Sequence, residues 1–215
     1  EGLLMPFYIV REDLTKMRCD AIVTPADSSL SGGGGLDAAI HKAAGAELDA
    51  ACRAAGRCPV GDAVITAGYG LSCKYLIHAV GPVWTGGGQG EETLLRQCYR
   101  RSLALADDRH CESIALPLIS AGNKGYPREA ALRVAESEIE RFLQSHEMEV
   151  YLVVYDRGAF LLGRARFADL REYIDERYVE AHPYRRGMTA PLSAPCAPCF
   201  EPLEDTQVNS VAPEL

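Results

Sequence analysis

The chain is short of positive charge: 22 lysines and arginines face 30 aspartates and glutamates over 215 residues, a formal net charge of -8. That balance excludes broad electrostatic attraction to nucleic acid or to an anionic membrane, although a local basic loop can still hold a phosphate. Long apolar runs are missing as well, and no stretch approaches the roughly 20 residues that span a bilayer. The N-terminal residues show no charged region followed by an apolar stretch and a cleavage site, so the reading is a cytoplasmic protein. Neither GxxxxGK(S/T) nor GxGxxG with its acidic ribose partner occurs, which disfavours an ATPase and a dinucleotide-dependent dehydrogenase. No internal repeat is visible.

Cysteine is not scarce, but it lacks pattern. Cys19, Cys52, Cys58, Cys73, Cys98 and Cys111 are scattered among apolar residues, as free thiols in a reducing compartment are. Cys196 and Cys199 have ligand-like spacing, yet no second pair or histidine cluster lies nearby in sequence, and no metal is expected.

With 47% hydrophobic residues the chain can bury the core of one ordinary domain plus an extension. Short apolar runs at Phe7–Val10, Ala21–Val23, Ala63–Thr66, Tyr75–Ile77, Ser113–Leu116 and Val150–Val154 predict buried strands, being nearly continuous and bounded by Gly, Pro or Asp. Helical spacing fills Leu36–Ala55, Glu91–Asp107 and Arg128–Ser145, and Phe160–Val179 predicts one or two closing helices. Strands alternating with helices imply an α/β layer structure. Met5 reads as a natural start, so the folded domain is placed at 5–182. The proline-interrupted stretch 183–215 reads as a disordered tail or linker.

The stretch TPADSSLSGGGGLDAAIHKAAG, from Thr24 to Gly45, puts Gly32, Gly33, Gly34 and Gly35 at the mouth of a helix. Such a run either forms a flexible surface loop or lets backbone N–H groups and a helix N-terminus converge on a phosphate. The second stretch, LPLISAGNKGYP from Leu116 to Pro127, shifts the balance. It is another junction of strand, glycine loop and helix, and in an α/β sheet two such loops can hold a diphosphate from both sides of one crevice.

These stretches, together with GDAVITAGYGL and KYLIHAVGPVW, resemble the macrodomain family of ADP-ribose-binding modules from about Phe7 to Asp156. The closing helices are similar to those of bacterial members. The resemblance implies a three-layer α/β/α fold around a mixed sheet, followed by C-terminal helices and a flexible tail, with ADP-ribose as ligand and no cofactor. It places Asp13, with Leu14 beside it, where the family accepts a hydrogen bond from the adenine amino group. Read without the resemblance, Asp13 is a helix N-cap. Gly32 to Gly35 and Leu36 match the first diphosphate loop. Ser120, Ala121, Gly122, Asn123, Lys124, Gly125 and Tyr126 match the second, and Tyr155 completes the binding set.

Asp37 matches the acidic residue that orients or activates a water beside the distal ribose; by itself it is a first-turn aspartate stabilising its helix. His41, one turn on, is positioned to face it. The family's NAAN is Thr24-Pro25-Ala26-Asp27 here, so an acceptor-only carboxylate stands where asparagine contacts the ribose. Asp27 and Asp37 are then expected to titrate as a pair. Lys124 replaces an aromatic, and its expected role is a charge-assisted contact to the diphosphate.

The resemblance implies an enzyme that hydrolyses the ester between ADP-ribose and an acidic side chain, or deacetylates O-acetyl-ADP-ribose, with Asp37 and Asp27 as catalytic groups. The alternative is a non-catalytic reader of mono-ADP-ribosylated proteins, or an adaptor in a longer polypeptide joined through the tail. No membrane or nucleic-acid partner is expected, and the reading is a monomer.

Overall fold

The computed structural model describes residues 6–164 and 170–184. Met5, Phe167, Cys196, Cys199 and the tail beyond Tyr184 lie outside the described residues. The strands are β1 Phe7–Arg11, β2 Ala21–Pro25, β3 Ala63–Ala67, β4 Tyr75–Ala79, β5 Ser113–Pro117, β6 Glu149–Val154 and β7 Leu170–Glu172. They form one seven-stranded sheet in the order β3-β4-β2-β5-β6-β1-β7. Among the described residues only the β3–β4 pairing is antiparallel.

Side chains alternate across the sheet with period two, and here both faces are covered. Ile9, Val23, Ile77, Leu116 and Leu152 pack on one face against α3 (Glu91–Asp107) and α4 (Arg128–Leu143), through Leu95, Tyr99, Leu103, Leu132 and Ile139. Their neighbours Val10, Ile22, Leu76, Ala115 and Val153 pack on the other face with Ile40 of α1 (Gly35–Ala44) and Leu48 and Cys52 of α2 (Ala46–Ala55). Continuous apolar strands are the sequence record of this two-sided burial. The result is the three-layer α/β/α architecture.

Two expectations about elements need correction. The segment Leu36–Ala55 is not one helix, because Gly45 takes φ 88° and closes α1 with its N–H on His41 O at 3.0 Å before α2 begins. The closing segment is not helical throughout. It forms α5 (Arg157–Arg164), then β7, then α6 (Glu176–Ala181). Leu170 is drawn into a strand because the outer edge of β1 would otherwise present unpaired backbone groups. Ile9 aligns there with Leu170, and Tyr173 N–H donates to Arg11 O at 2.9 Å. Packing also continues past the expected boundary at residue 182, since Tyr184 remains hydrogen-bonded to Asp13.

Among the described residues no helix is long and apolar enough to cross a membrane. The parallel strands all finish on one edge, and β2 and β1 stand three strand steps apart there, about 14 Å at ordinary spacing.

Candidate functional site

Four segments meet at that edge. The first follows β2, where Asp27 opens a turn whose carbonyl accepts the Leu30 N–H at 2.9 Å. The glycine run then enters α1, which has no side-chain cap, so its first N–H groups stay free for an anion. The glycines serve close approach. A Cβ on Gly33 would stand 2.3 Å from Asp27 Oδ2, and one on Gly35, where φ is 59°, would stand 2.9 Å from Asn123 Nδ2. One contact folds Asp27 back over its own loop, and the other brings the second loop against the first.

Asp37, in the first turn of α1, is 3% exposed. Its Oδ1 accepts the Thr24 hydroxyl at 2.8 Å, while Oδ2 is buried without a hydrogen-bond partner. Burial pushes its pKa above the ordinary 3.8, opposed by the Thr24 bond and by His41 and reinforced by Asp27. Asp27 thus adds to the rise in the Asp37 pKa, but desolvation is the larger cause. His41 Nε2 lies 3.9 Å from Asp37 Oδ1, and His41 Nδ1 is 2.7 Å from Asp49 Oδ1. An ionised Asp49 only accepts, so Nδ1 carries a proton and Nε2 is the atom turned toward Asp37.

The second loop follows β5 and ends at Pro127, the N-cap of α4. It is tied by Gly125 N–H to Gly122 O and Tyr126 N–H to Ser120 O, both at 3.0 Å, with Ser120 in a left-handed φ of 65°. Lys124 is not extended toward an anion between the loops. Its Nζ donates to Ala26 O at 3.0 Å and Gly81 O at 2.8 Å, and lies 3.6 Å from Asp27 Oδ1. Two carbonyls left at the ends of neighbouring strands hold the ammonium more firmly than solvent would, so the lysine fastens the first loop to the end of β4 instead of meeting a ligand.

At the other end, after β1, Asp13 caps a 3₁₀ turn over Leu14–Lys16. Its Oδ1 accepts from Thr15 N–H at 2.9 Å, Thr15 hydroxyl at 2.7 Å and Tyr184 hydroxyl at 2.7 Å; Oδ2 accepts the Tyr178 hydroxyl at 2.8 Å. Tyr155, just beyond β6, stacks on Tyr184 with ring centroids 4.3 Å apart. The cap expected from the residues alone is realised.

The structure brings Asp27, Asp37, Gly32–Gly35 and Ser120–Gly125 to neighbouring loops at one strand edge, with Asp13 and Tyr155 farther along it. The side chains of Leu14 and Tyr126 are buried in the cores, Tyr126 edge-on to Trp84 at 4.7 Å. Only their backbone can face a ligand. Sequence reasoning missed Thr24, Asp49, Tyr178 and Tyr184. Thr24 had a usable signal, as a hydroxyl at the end of an apolar strand leading into the loop; the others had none.

Behind Asp37, donor atoms of His41, Cys52 and His78 lie within 4.8 Å of one another. As they stand they are hydrogen-bonded core groups: His78 Nε2 is 3.0 Å from Thr66 Oγ1, and His41 Nδ1 is committed to Asp49. Burial, then the neighbouring His41, pushes the His78 pKa down to about 4, so this ring adds no charge behind Asp37 at neutral pH.

Known proteins similar to this chain share its family. The family model for the Macro domain matches residues 23–135. A Macro domain-containing protein of Methanosarcina mazei is 49% identical over 166 residues, covering 74% of this chain and 89% of that one. The O-acetyl-ADP-ribose deacetylase of Escherichia coli is 45% identical over 155 residues, covering 69% and 88%. Among solved structures, the Oceanobacillus iheyensis macrodomain with ADP superposes with a TM-score of 0.70 at 37% identity, covering 74% of this chain and 87% of that one. The Trypanosoma brucei macrodomain in complex with ADP-ribose gives 0.70 at 33% identity, covering 75% and 69%.

Proposed function

The chain belongs to the Macro domain family, and from that membership we propose that it binds ADP-ribose and hydrolyses the ester joining ADP-ribose to an acidic side chain. Deacetylation of O-acetyl-ADP-ribose is the same chemistry on a smaller acyl group, and one relative carries that name. The diphosphate lies between the two glycine loops against the free N–H groups of α1, the distal ribose beside Asp27, and the adenine between Asp13 and Tyr155. The natural setting is a cytoplasmic monomer acting on mono-ADP-ribosylated proteins.

The observation that carries the hydrolytic reading is Asp37: a carboxylate nine-tenths buried beside the glycine loop, with one oxygen unpartnered and its proton affinity raised. A buried acceptor left open is costly to a fold and useful to a reaction, since it is where a water can be held and deprotonated. In the step proposed, Asp37 takes a proton from water as the oxygen adds to the ester carbon. The carbon–oxygen bond to the ribose breaks, and the departing oxygen receives the proton. Fixing the diphosphate supplies proximity.

One observation favours a reader instead. Asp27 is drawn toward Lys124 and folded against Gly33, which holds it as a structural element of the loop. The two readings separate on release of ADP-ribose from a glutamate-linked mono-ADP-ribosylated protein. Hydrolysis requires wild-type turnover that Asp37→Ala abolishes while ADP-ribose still binds. Binding without turnover at any pH means a reader.

A further inference from the structure

The end of the cleft that the proposed reading assigns to adenine already holds a side chain of similar chemistry. Tyr184 lays a flat ring on Tyr155 at a centroid distance of 4.3 Å and donates its hydroxyl to Asp13 Oδ1 at 2.7 Å. A stacked ring with one donor on the carboxylate is what an aminopurine would present to the same two residues. Asp13 Oδ1 meanwhile receives three hydrogen bonds, from Thr15 N–H, Thr15 hydroxyl and Tyr184, and Oδ2 receives one from Tyr178. Oδ1 is fully engaged, so an amine approaching that oxygen has to displace a donor.

The donor that can leave is identifiable from how the segment is anchored. Its base is fastened: Arg11, 1% exposed, forms ion pairs with Glu172 and Glu176, Ile174 is buried, and Asp175 caps α6 by accepting Tyr178 N–H at 2.9 Å. Tyr178 is thus placed by a folded element. Beyond α6, His182 stays fastened to Tyr178 by its N–H on Tyr178 O at 3.0 Å and by stacked rings 4.3 Å apart, and its carbonyl accepts the Tyr155 hydroxyl, whereas Tyr184 is held by its hydroxyl on Asp13 and its ring on Tyr155. Burial and the charge of Asp13 push the Tyr184 hydroxyl pKa up, so it remains a donor.

We propose that Tyr184 is an intramolecular occupant of the purine subsite, which ADP-ribose must displace from Tyr155 and Asp13 Oδ1 while Tyr178 stays on Oδ2 and keeps the carboxylate oriented. Tyr184 then acts as a competitive strap just beyond the anchored His182. It lowers apparent affinity for purine-bearing ligands by the fraction of molecules in which the subsite is open, and leaves the diphosphate and distal ribose positions untouched. The proposal rests on the reading that Asp13 and Tyr155 form the purine subsite.

Calorimetric titration of the full chain with ADP-ribose and with ribose 5-phosphate tests it. Tyr184→Ala is expected to bind ADP-ribose about tenfold more tightly than wild type, with Tyr184→Phe in between, and to bind ribose 5-phosphate as wild type does. Adding Asp13→Ala to Tyr184→Ala should then weaken ADP-ribose binding. If Tyr184→Ala binds ADP-ribose no more tightly while the added Asp13→Ala still weakens it, the subsite stands and the strap is overturned. If the added Asp13→Ala changes nothing, the subsite reading itself fails and the strap falls with it.

Discussion

Asp37 and Asp13 sit toward opposite ends of one strand-end crevice and are buried almost equally, 3% and 5% exposed. Their partners differ in number. Asp13 accepts from a backbone N–H, a threonine and two tyrosines, whereas Asp37 has one threonine bond and an Oδ2 without a hydrogen-bond partner. A filled carboxylate stabilises the chain around it and is closed to newcomers until a donor leaves. An unfilled one costs stability and is open to a water. This contrast is what the two proposals rest on: chemistry at the Asp37 end and regulated binding at the Asp13 end.

The largest effect should come from exchanging the open carboxylate for an amide. Asp37→Asn is expected to lower ester hydrolysis by at least about a hundredfold. Its effect on stability should have the opposite sign to that of an ordinary buried substitution. Because the folded-state pKa of Asp37 is raised from 3.8, its contribution is fully present below that value and is lost as pH rises through the raised one. At neutral pH the wild type carries this penalty and the amide does not. Urea unfolding at pH 7 should show a midpoint equal to or above that of wild type, and a lower midpoint would break the contrast.

At the Asp13 end the same measurement should move the other way. Asp13→Ala removes an N-cap and strands two tyrosine hydroxyls, and is expected to lower unfolding stability by about 2 kcal/mol. If Asp37→Asn proves the more destabilising of the two, partner count is not what distinguishes these ends.

Six of the seven strands were legible because both faces of the sheet are covered. Runs such as Ala21–Val23 and Ser113–Leu116 read as buried strands for the same reason that Ile22 and Val23 go to different cores. The two glycine loops were legible because they sit at strand-to-helix junctions. The break at Gly45 was hidden by good helix formers on either side. What could not be read was long range: Asp13 meets Tyr178 and Tyr184 across 165 and 171 residues, the first in a segment whose spacing predicts one or two closing helices and the second in a stretch read as tail. Lys124 misled for a related reason. A lysine in a glycine loop suggests an anion, and nothing local records that two strand-end carbonyls, Ala26 O and Gly81 O, would claim it.

Lys124 also sharpens the comparison, since it links the open end to the scaffold. Lys124→Met leaves both carbonyls without their donor and should cost about 1–2 kcal/mol of stability, with ADP-ribose affinity changed by less than about threefold, well under 1.4 kcal/mol. The reverse pattern, intact stability with affinity lost, would mean that the ammonium turns to the diphosphate when ligand arrives and that the open end is rebuilt on binding.

The smallest expected effect is the most specific to Asp37. The Thr24 hydroxyl donates to Oδ1 at 2.8 Å and favours the ionised carboxylate, against burial, which favours the protonated one. Thr24→Val keeps the shape at the end of β2 and removes the donor, so the Asp37 pKa should rise further. A base must be ionised to accept a proton, and the acid limb of the pH–rate profile should therefore move to higher pH, with the neutral-pH plateau changed little. His41 and Asp27 act on the same carboxylate from other sides, so the limb should shift without disappearing. A limb that stays where it is in Thr24→Val would assign the titration to another group, and with it the proton transfer that makes this end of the cleft different from the other.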